Sequence, residues 1–333
     1  MAAPRPHLAV AMAGGLALLA ALAPQAHAQA PAKPGAAKPA TAKPATAKPN
    51  AAGTTVPDPA YAAYQTGHYK TAFDLAVERA NSKGDPVSMV LAAELLSQGY
   101  GVRQDAEAAR KWYEAAAAKG NADALFTLGS VLMDAPEITA KDQAVGYFRR
   151  SAEAGNVRAA YNLGLIYLQG QVAPKEPAIA AEWFKRAADR DQPDALYALA
   201  TLYRDGNGVP KDPIESARLL QRASAVGNTV ATTELAILVF NGSGLPKNEE
   251  RAAELFREAA LAGNAIAQNR YARILSAGRG APKDLVAAAA WHLAAKAQNL
   301  DDPMLDKLVA DLTPEQRAQA EARVKSWTPV YPY

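Results

Sequence analysis

The chain contains no cysteine among its 333 residues, and it has only four histidines. The absence of cysteine excludes a disulfide framework, a thiol nucleophile and a cysteine-ligated zinc or iron–sulfur site. So few histidines exclude most histidine-rich metal sites, and no Gly-x-Ser-x-Gly motif marks a nucleophilic serine. The sequence therefore predicts a protein that is not an enzyme and that has no cofactor and no metal.

Acidic residues are missing from the first part of the chain. The whole sequence has 36 basic against 33 acidic residues, a net charge of +3. No acidic residue precedes Asp58, so residues 58–333 hold 31 basic against 33 acidic residues. A body this close to neutrality is not predicted to bind nucleic acid. The basic residues before Asp58 are Arg5, Lys33, Lys38, Lys43 and Lys48.

Residues 1–28 have the three parts of a secretory signal peptide. An arginine near the start precedes an apolar stretch from Leu8 to Leu22, and Ala26-His27-Ala28 has the small-x-small cleavage pattern. The apolar stretch is shorter than the roughly 20 residues that a membrane-spanning helix needs. We expect cleavage before Gln29, no integral membrane span afterwards, and a periplasmic or secreted protein.

Residues 29–57 repeat Ala-Lys-Pro with a proline at every fifth position. Proline at this density is incompatible with the interior of helices and sheets, and no large apolar side chain is present to stabilise a folded state. The segment is predicted to be a disordered spacer. Two interpretations of its lysines remain: contact with an anionic envelope polymer, or maintenance of a soluble, extended linker.

Residues 87–300 contain six copies of one unit. A large residue returns at spacings of 35, 36, 36, 36 and 36. A small residue stands three positions before it and another four positions after it, which places all three on one helix face. The large side chain is predicted to fill the space between neighbouring units, and the small ones to let helices approach closely. The large residues are Trp112, Tyr147, Trp183, Leu219, Leu255 and Trp291.

Two kinds of glycine turn punctuate each unit. A Gly-Asn pair ends one helix in four copies, with Asp191-Gln192 and Gln298-Asn299 in the other two. A Gly-x-Gly turn such as Gly206-Asn207-Gly208 ends the other helix, and the Asp or Asn that follows can cap the next one. In the second copy, residues 134–137 replace these glycines, and a turn of different shape is expected.

This unit resembles the Sel1-like repeat, a relative of the tetratricopeptide repeat. The third copy carries the pattern in Ala159 to Gly170, and the resemblance covers 87–300. It implies an all-α protein, a right-handed α-solenoid of six Sel1-like helical hairpins whose first helices line a concave face. It also implies a scaffold or adaptor role. One exported subfamily that binds or hydrolyses β-lactams is built on paired cysteines, and this chain has none.

Helical caps are predicted at both ends, because an open solenoid end exposes apolar surface. In the N-terminal cap, 58–86, a Gly67-His68-Tyr69 break divides two short helices. In the C-terminal cap and tail, 301–333, Thr313 to Gln316 form a capping box before a helix with Ala318, Ala322 and Val324. The tail, 329–333, either packs on this helix or serves as a recognition tag.

One position of the first helix is aromatic in three consecutive copies: Phe126, Tyr161 and Tyr197. The resemblance to helical-repeat proteins implies that ligands meet this position and its neighbours. Aromatic, Arg and Asn side chains together are typical of a protein-binding hot spot. The alternative is that the aromatics only pack. The predicted partner-binding residues are Phe126, Arg158, Tyr161, Asn162, Tyr197, Arg204 and Arg273.

The function predicted from these features is an exported, non-enzymatic scaffold that binds an envelope protein or peptide through the concave face. Cell-wall or exopolysaccharide machinery is among the candidate partners. The alternative is a peptidoglycan- or polysaccharide-binding module that stacks sugars on the aromatic residues.

Overall fold

A computed structural model describes residues 58–327, and this part of the chain is entirely helical, with sixteen helices and no strand. The helices are α1 (Pro59–Gln65), α2 (Tyr69–Lys83), α3 (Pro86–Gln98), α4 (Ala106–Ala118), α5 (Ala122–Met133), α6 (Ile138–Glu153), α7 (Val157–Gln169), α8 (Pro177–Ala188), α9 (Pro193–Asp205), α10 (Pro213–Ala225), α11 (Thr229–Asn241), α12 (Glu249–Leu261), α13 (Ala265–Ala277), α14 (Leu285–Lys296), α15 (Pro303–Asp311) and α16 (Pro314–Trp327).

Helices α3 to α14 form six hairpins, and each helix packs against the helix before it and the helix after it. The first helices of the hairpins (α3, α5, α7, α9, α11 and α13) are called A-helices below, and the second helices are called B-helices. Helices α1–α2 and α15–α16 flank the array. The predicted all-α solenoid of six hairpins with helical caps is confirmed.

The predicted pattern of large and small residues accounts for the core between hairpins. The large side chains of the last four copies are buried, with Leu219 only 1% and Leu255 only 2% exposed. Those of the first two copies, Trp112 and Tyr147, are half-buried. Small residues such as Ala187, which is completely buried, allow the close helix contacts that these large side chains need.

Gly164 shows how tight one hairpin is. It lies in the interior of α7, and a Cβ at this position would come within 2.4 Å of the Phe184 ring of α8. Phe184 is itself completely buried. Any side chain at position 164 would therefore push against a ring that has no room to move.

The asparagines of the Gly-Asn pairs have a role that the sequence reading did not assign. Asn156 accepts a hydrogen bond from the Ala159 amide at 3.0 Å and so caps α7. Its side-chain amide donates to Asp123 of the preceding A-helix at 2.9 Å. Asn228 repeats this arrangement two copies later, with a 3.0 Å bond to Asp194. These residues cap a helix and link two hairpins at once.

Two copies lack glycine at this turn and use a non-glycine residue with positive φ. Asp191 has φ of 54° and Asn299 has φ of 63°. In the last copy the predicted pair, Gln298-Asn299, is wrong by one residue, because Asn299 itself occupies the left-handed position. Leu300 then falls where the other copies have a capping side chain, and α15 is capped by Asp302 instead.

The second copy has the different turn that its sequence indicates. Residues 134–137 connect α5 to α6 in four residues, whereas residues 206–212 connect α9 to α10 in seven. Without the glycines, α6 begins early and extends over 16 residues, from Ile138 to Glu153.

Two predicted features of the caps, the helix break and the capping box, are present in the structure. The break at Gly67 separates α1 from α2, and Thr313 and Gln316 form the reciprocal bonds of a capping box at 3.1 and 3.2 Å. Of the three apolar residues noted on α16, Val324 packs against the core of the cap, whereas Ala318 and Ala322 are exposed. The helix also buries Ala320 and stacks Trp327 on Trp291 of α14, with ring centroids 3.9 Å apart.

Residues 1–57 and 328–333 lie outside the described part of the chain, so the signal peptide, the spacer and the aromatic tail stay predictions. Within 58–327, every helix is too short or too polar to cross a membrane.

Candidate functional site

The three aromatic residues predicted to contact a partner lie half-buried on consecutive A-helices. Phe126 packs against Phe148, and Tyr161 packs against Phe184, each with ring centroids 5.7 Å apart. Each ring therefore contacts a buried phenylalanine of its own hairpin and stays only partly exposed to solvent.

Arg158 and Phe126 come together across two neighbouring A-helices. The guanidinium carbon of Arg158 lies 4.3 Å from the centroid of the Phe126 ring, a cation–π geometry. The Arg158 side chain is 66% exposed, and its nearest carboxylate, that of Asp123, is 4.0 Å away. Arg158 is therefore a cation held in place by an aromatic ring and still open to a partner.

Tyr197 and Arg204 share one carboxylate. The Tyr197 hydroxyl donates to Glu234 of the next A-helix at 2.7 Å, and Arg204 donates to the other oxygen of Glu234 at 2.9 Å. Arg204 also donates to Asp205. The structure thus unites two predicted residues, and Glu234, which the sequence reading did not single out, joins them.

Burial raises the pKa values of the tyrosine phenols on this face. It raises the pKa of Tyr161 to about 12, with a smaller contribution from the negative charge of Asp194. Burial also raises the pKa of Tyr197, and the hydrogen bond to Glu234 raises it further. Both hydroxyls are therefore un-ionised at any physiological pH.

The remaining predicted residues are not part of these two groups. Asn162 is half-buried on α7 beside Tyr161, and its amide has no hydrogen bond within the described chain. Arg273 lies on α13, where its Nε donates to Asp302 at 2.6 Å. Asp302 also accepts a bond from Asn269 at 2.8 Å. Arg273 therefore connects the last A-helix to the C-terminal cap.

The aromatic series ends at α9. The corresponding positions of the next two A-helices are Thr233 and Asn269, which are only 3% and 9% exposed. Beyond this point two adjoining cavities open on the A-helices. The first has a volume of about 450 Å³ and is lined by Arg204 and Glu234 among others. The second has a volume of about 550 Å³. Ile237 lines both.

The second cavity is called the basic groove below. Its floor is apolar, and its rim carries three arginines with no carboxylate among the lining residues. The sequence reading found only Arg273 of this set. The repeat spacing could have identified Ile237 as well, because it lies 36 residues before Arg273 and occupies the same A-helix position. The floor is formed by Ile237, Phe240, Phe256, Ile274 and Met304, and the rim by Arg270, Arg273 and Arg279.

Within the described residues no cluster of three histidine, aspartate or glutamate side chains is arranged to hold a metal ion. The chemistry that the A-helix face offers is recognition: partly exposed rings, amides and guanidinium groups, together with two cavities of side-chain size.

A chain of stacked helical hairpins with cavities along its A-helices is an α-solenoid repeat protein. The Sel1 repeat family model matches six successive segments, residues 86–121, 123–156, 157–192, 193–228, 229–264 and 265–300. The chain belongs to the Sel1 repeat family. Sel1 repeat proteins generally act as scaffolds for protein–protein interaction, and their fold is typically non-catalytic.

Solved structures with the same fold include a Sel1 repeat protein from Oxalobacter formigenes. It is 26% identical, with a TM-score of 0.62, and the match covers 76% of each chain. Another is c5321, a protective antigen present in uropathogenic Escherichia coli strains, which is 25% identical with a TM-score of 0.50. That match covers 78% of this chain and 64% of c5321. Comparison with curated proteins gives no match.

Proposed function

We propose that this chain is an exported scaffold that binds an envelope protein through its A-helix face. The observation that carries the proposal is the row of half-buried aromatics on α5, α7 and α9 with arginines held beside them. Aromatic residues and arginine dominate the binding energy of protein interfaces, because the rings bury a large area and the guanidinium group forms several directed hydrogen bonds.

The geometry favours a protein partner over a polysaccharide. Sugar binding by stacking needs an open ring face, and Arg158 lies over the face of Phe126. Tyr161 and Tyr197 are each partly buried, and Tyr197 has its hydroxyl committed to Glu234. An exposed guanidinium on a ring suits a carboxylate or a backbone carbonyl of a protein chain.

Export is supported by the signal-peptide features of residues 1–28. Fusion of residues 1–28 to a reporter that is active only outside the cytoplasm tests this part of the proposal. We expect reporter activity outside the cytoplasm, and mass spectrometry of the processed full-length protein should show Gln29 as its first residue. An envelope fraction that holds only the unprocessed chain would contradict cleavage.

Capture of envelope proteins by the full chain tests the binding face. Arg158→Glu is the first variant, because Arg158 is largely exposed and its replacement leaves the core intact. Arg103→Glu is the matched control, since Arg103 is exposed in the α3–α4 turn and away from the predicted site. We expect Arg158→Glu to lose the captured protein and Arg103→Glu to keep it.

The double change Tyr161→Ala with Tyr197→Ala is the second test. Each interface aromatic contributes ~2 kcal/mol or more, so losing two weakens binding by about three orders of magnitude. Because Tyr161 contacts Phe184, thermal melting must accompany the binding assay. Undiminished capture by a folded double variant would remove the aromatic row as the site. Retention of the partner after muramidase treatment separates a protein partner from peptidoglycan.

A further inference from the structure

We infer that the basic groove binds an acidic segment of the partner, with a large apolar side chain on the groove floor and a carboxylate on Arg270. This inference rests on the proposed function, because it names the chemistry of the partner on the same A-helix face. It concerns hairpins five and six, whereas the aromatic row lies on hairpins two to four.

The positive charge of the groove sets the first requirement for a ligand. The guanidinium groups of Arg270, Arg273 and Arg279 lie around one cavity that has no carboxylate in its lining. Arg273 is paired with Asp302, a side chain that is only 2% exposed, and Arg279 is paired with Glu249. The charges of these two arginines are thus partly neutralised by carboxylates of the chain itself.

Arg270 is different from the other two. It lies exposed on α13, one helical turn before Arg273, and has no carboxylate within ion-pair distance in the described part of the chain. The groove therefore keeps one uncompensated positive charge. An acidic ligand would complete this arrangement, whereas a basic ligand would meet three guanidinium groups.

The floor adds the second requirement. Ile237, Phe240 and Ile274 form an apolar surface between α11 and α13, and Met304 of α15, 54% exposed, borders it. Arg279 lies 4.9 Å from the centroid of the Phe240 ring, a cation–π contact between the rim and the floor of the groove. A volume of about 550 Å³ accommodates one or two large side chains. Inorganic phosphate alone would leave this floor uncovered.

The two requirements together select a peptide segment with glutamate or aspartate next to Leu, Phe or Trp. Nucleic acid is disfavoured because the body of the chain, 58–333, holds more acidic than basic residues. The apolar side chain contributes affinity by burial, and the carboxylate contributes selectivity through a hydrogen-bonded pair with Arg270.

Fluorescence anisotropy of short fluorescein-labelled peptides on the full chain tests the inference. The probes share Gly-Ser flanks and differ at four central residues: Leu-Glu-Glu-Phe, Leu-Gln-Gln-Phe, Leu-Lys-Lys-Phe and Ala-Glu-Glu-Ala. We expect the first peptide to bind about tenfold or more tightly than each of the others. Added salt should weaken it, because the charge contact is partly exposed to solvent.

Variants locate the contact. Arg270→Glu should abolish the preference for Leu-Glu-Glu-Phe over Leu-Gln-Gln-Phe, Arg270→Lys should retain part of it, and Arg103→Glu should retain all of it. Equal binding of the acidic and amide peptides overturns the inference, as does an unchanged preference in Arg270→Glu. Absence of binding by every peptide up to about 1 mM also overturns it.

The same variants separate this inference from the proposed function. If Arg270→Glu still captures the envelope protein but Arg158→Glu does not, the scaffold function stands and the acidic-segment inference fails. If both variants and the control capture equally, the proposed function itself fails.

Discussion

Replacement of Asp302 by alanine should loosen the C-terminal cap and leave the rest of the solenoid intact. The Asp302 side chain is 2% exposed and accepts hydrogen bonds from Arg273 at 2.6 Å and from Asn269 at 2.8 Å. It also accepts from the amides of Met304 and Leu305 and thereby caps α15. One carboxylate thus joins the last A-helix to the cap.

The magnitude follows from these contacts. Loss of a helix cap costs about 1 kcal/mol, and a hydrogen bond to a charged partner contributes ~1.5–3 kcal/mol. The alanine variant also leaves Asn269, which is 9% exposed, without its acceptor. We expect the local free energy of opening to fall by about 3 kcal/mol, which corresponds to roughly a hundredfold faster amide exchange in α15 and α16.

Hydrogen exchange measured by mass spectrometry is the suitable assay, because a repeat array opens in parts rather than as one unit. Exchange should increase over residues 265–327 and stay unchanged over α3 to α8. Asp301→Ala is the matched control, since Asp301 is 74% exposed and its nearest cation, Lys296, is 3.9 Å away. Unchanged amide exchange of α15 in Asp302→Ala would refute the conclusion that Asp302 links α13 to the C-terminal cap.

Acid should reproduce part of this effect. Burial by itself raises the pKa of Asp302, but hydrogen bonds from Arg273 and Asn269 outweigh burial and hold the pKa below its ordinary value. A carboxylate whose pKa is lowered in the folded state stabilises the protein at pH values above its unfolded-state pKa. This stabilisation is lost as the pH falls through the folded-state pKa. Protection of α15 should therefore decrease on acidification more in the wild-type chain than in Asp302→Asn.

Three further changes test the packing of the array. Trp183→Ala should cost ~3–5 kcal/mol of stability, and an unchanged denaturation midpoint would contradict the repeat phase. Gly164→Ala should cost about 1–3 kcal/mol by overpacking, whereas Gly146→Ala, in the interior of α6 with nothing within 4 Å of its Cβ, should stabilise by about 0.5–1 kcal/mol. Tyr197→Phe should cost about 1 kcal/mol in urea denaturation, and Tyr203→Phe, on the same helix without a hydroxyl bond, should cost less.

The fold is well predicted from the sequence because the same pattern of packing residues recurs in six copies. The spacing of 36 residues fixed which faces pack, and the buried Trp183, Leu219 and Leu255 confirm it. Prediction failed where the repeat ends. Asn299, rather than Gln298, takes the glycine position by adopting positive φ, because the turn into the C-terminal cap departs from the repeated pattern.

The site was less predictable, because its groups form between repeats. Tyr197, Arg204 and Glu234 are joined by hydrogen bonds that span 30 to 37 positions in sequence, and a position-by-position reading identified only the first two. The basic groove was not predicted, and Arg273 is the only arginine of its rim among the predicted partner-binding residues. Its other arginines differ from the residues at the same positions in other copies, so periodicity carries no signal for them.

Departure from the repeat is itself informative about binding. Positions that build the solenoid keep the same residue class from copy to copy, because every hairpin must pack against an almost identical neighbour. A binding face is free of that constraint. At one A-helix position this chain has Thr201, Ile237 and Arg273, and at another it has Ala198, Glu234 and Arg270. A partner that lies along the face would meet a different chemistry at each hairpin: rings at α5 to α9, a carboxylate at α11 and guanidinium groups at α13. Exchange of Glu234 and Arg270 between their positions would keep the composition and the net charge of the chain while reversing this order. Selectivity in the peptide-binding assay should therefore change in that variant, and a thermal melt must accompany the assay because the exchange also breaks the bonds of Glu234 to Tyr197 and Arg204.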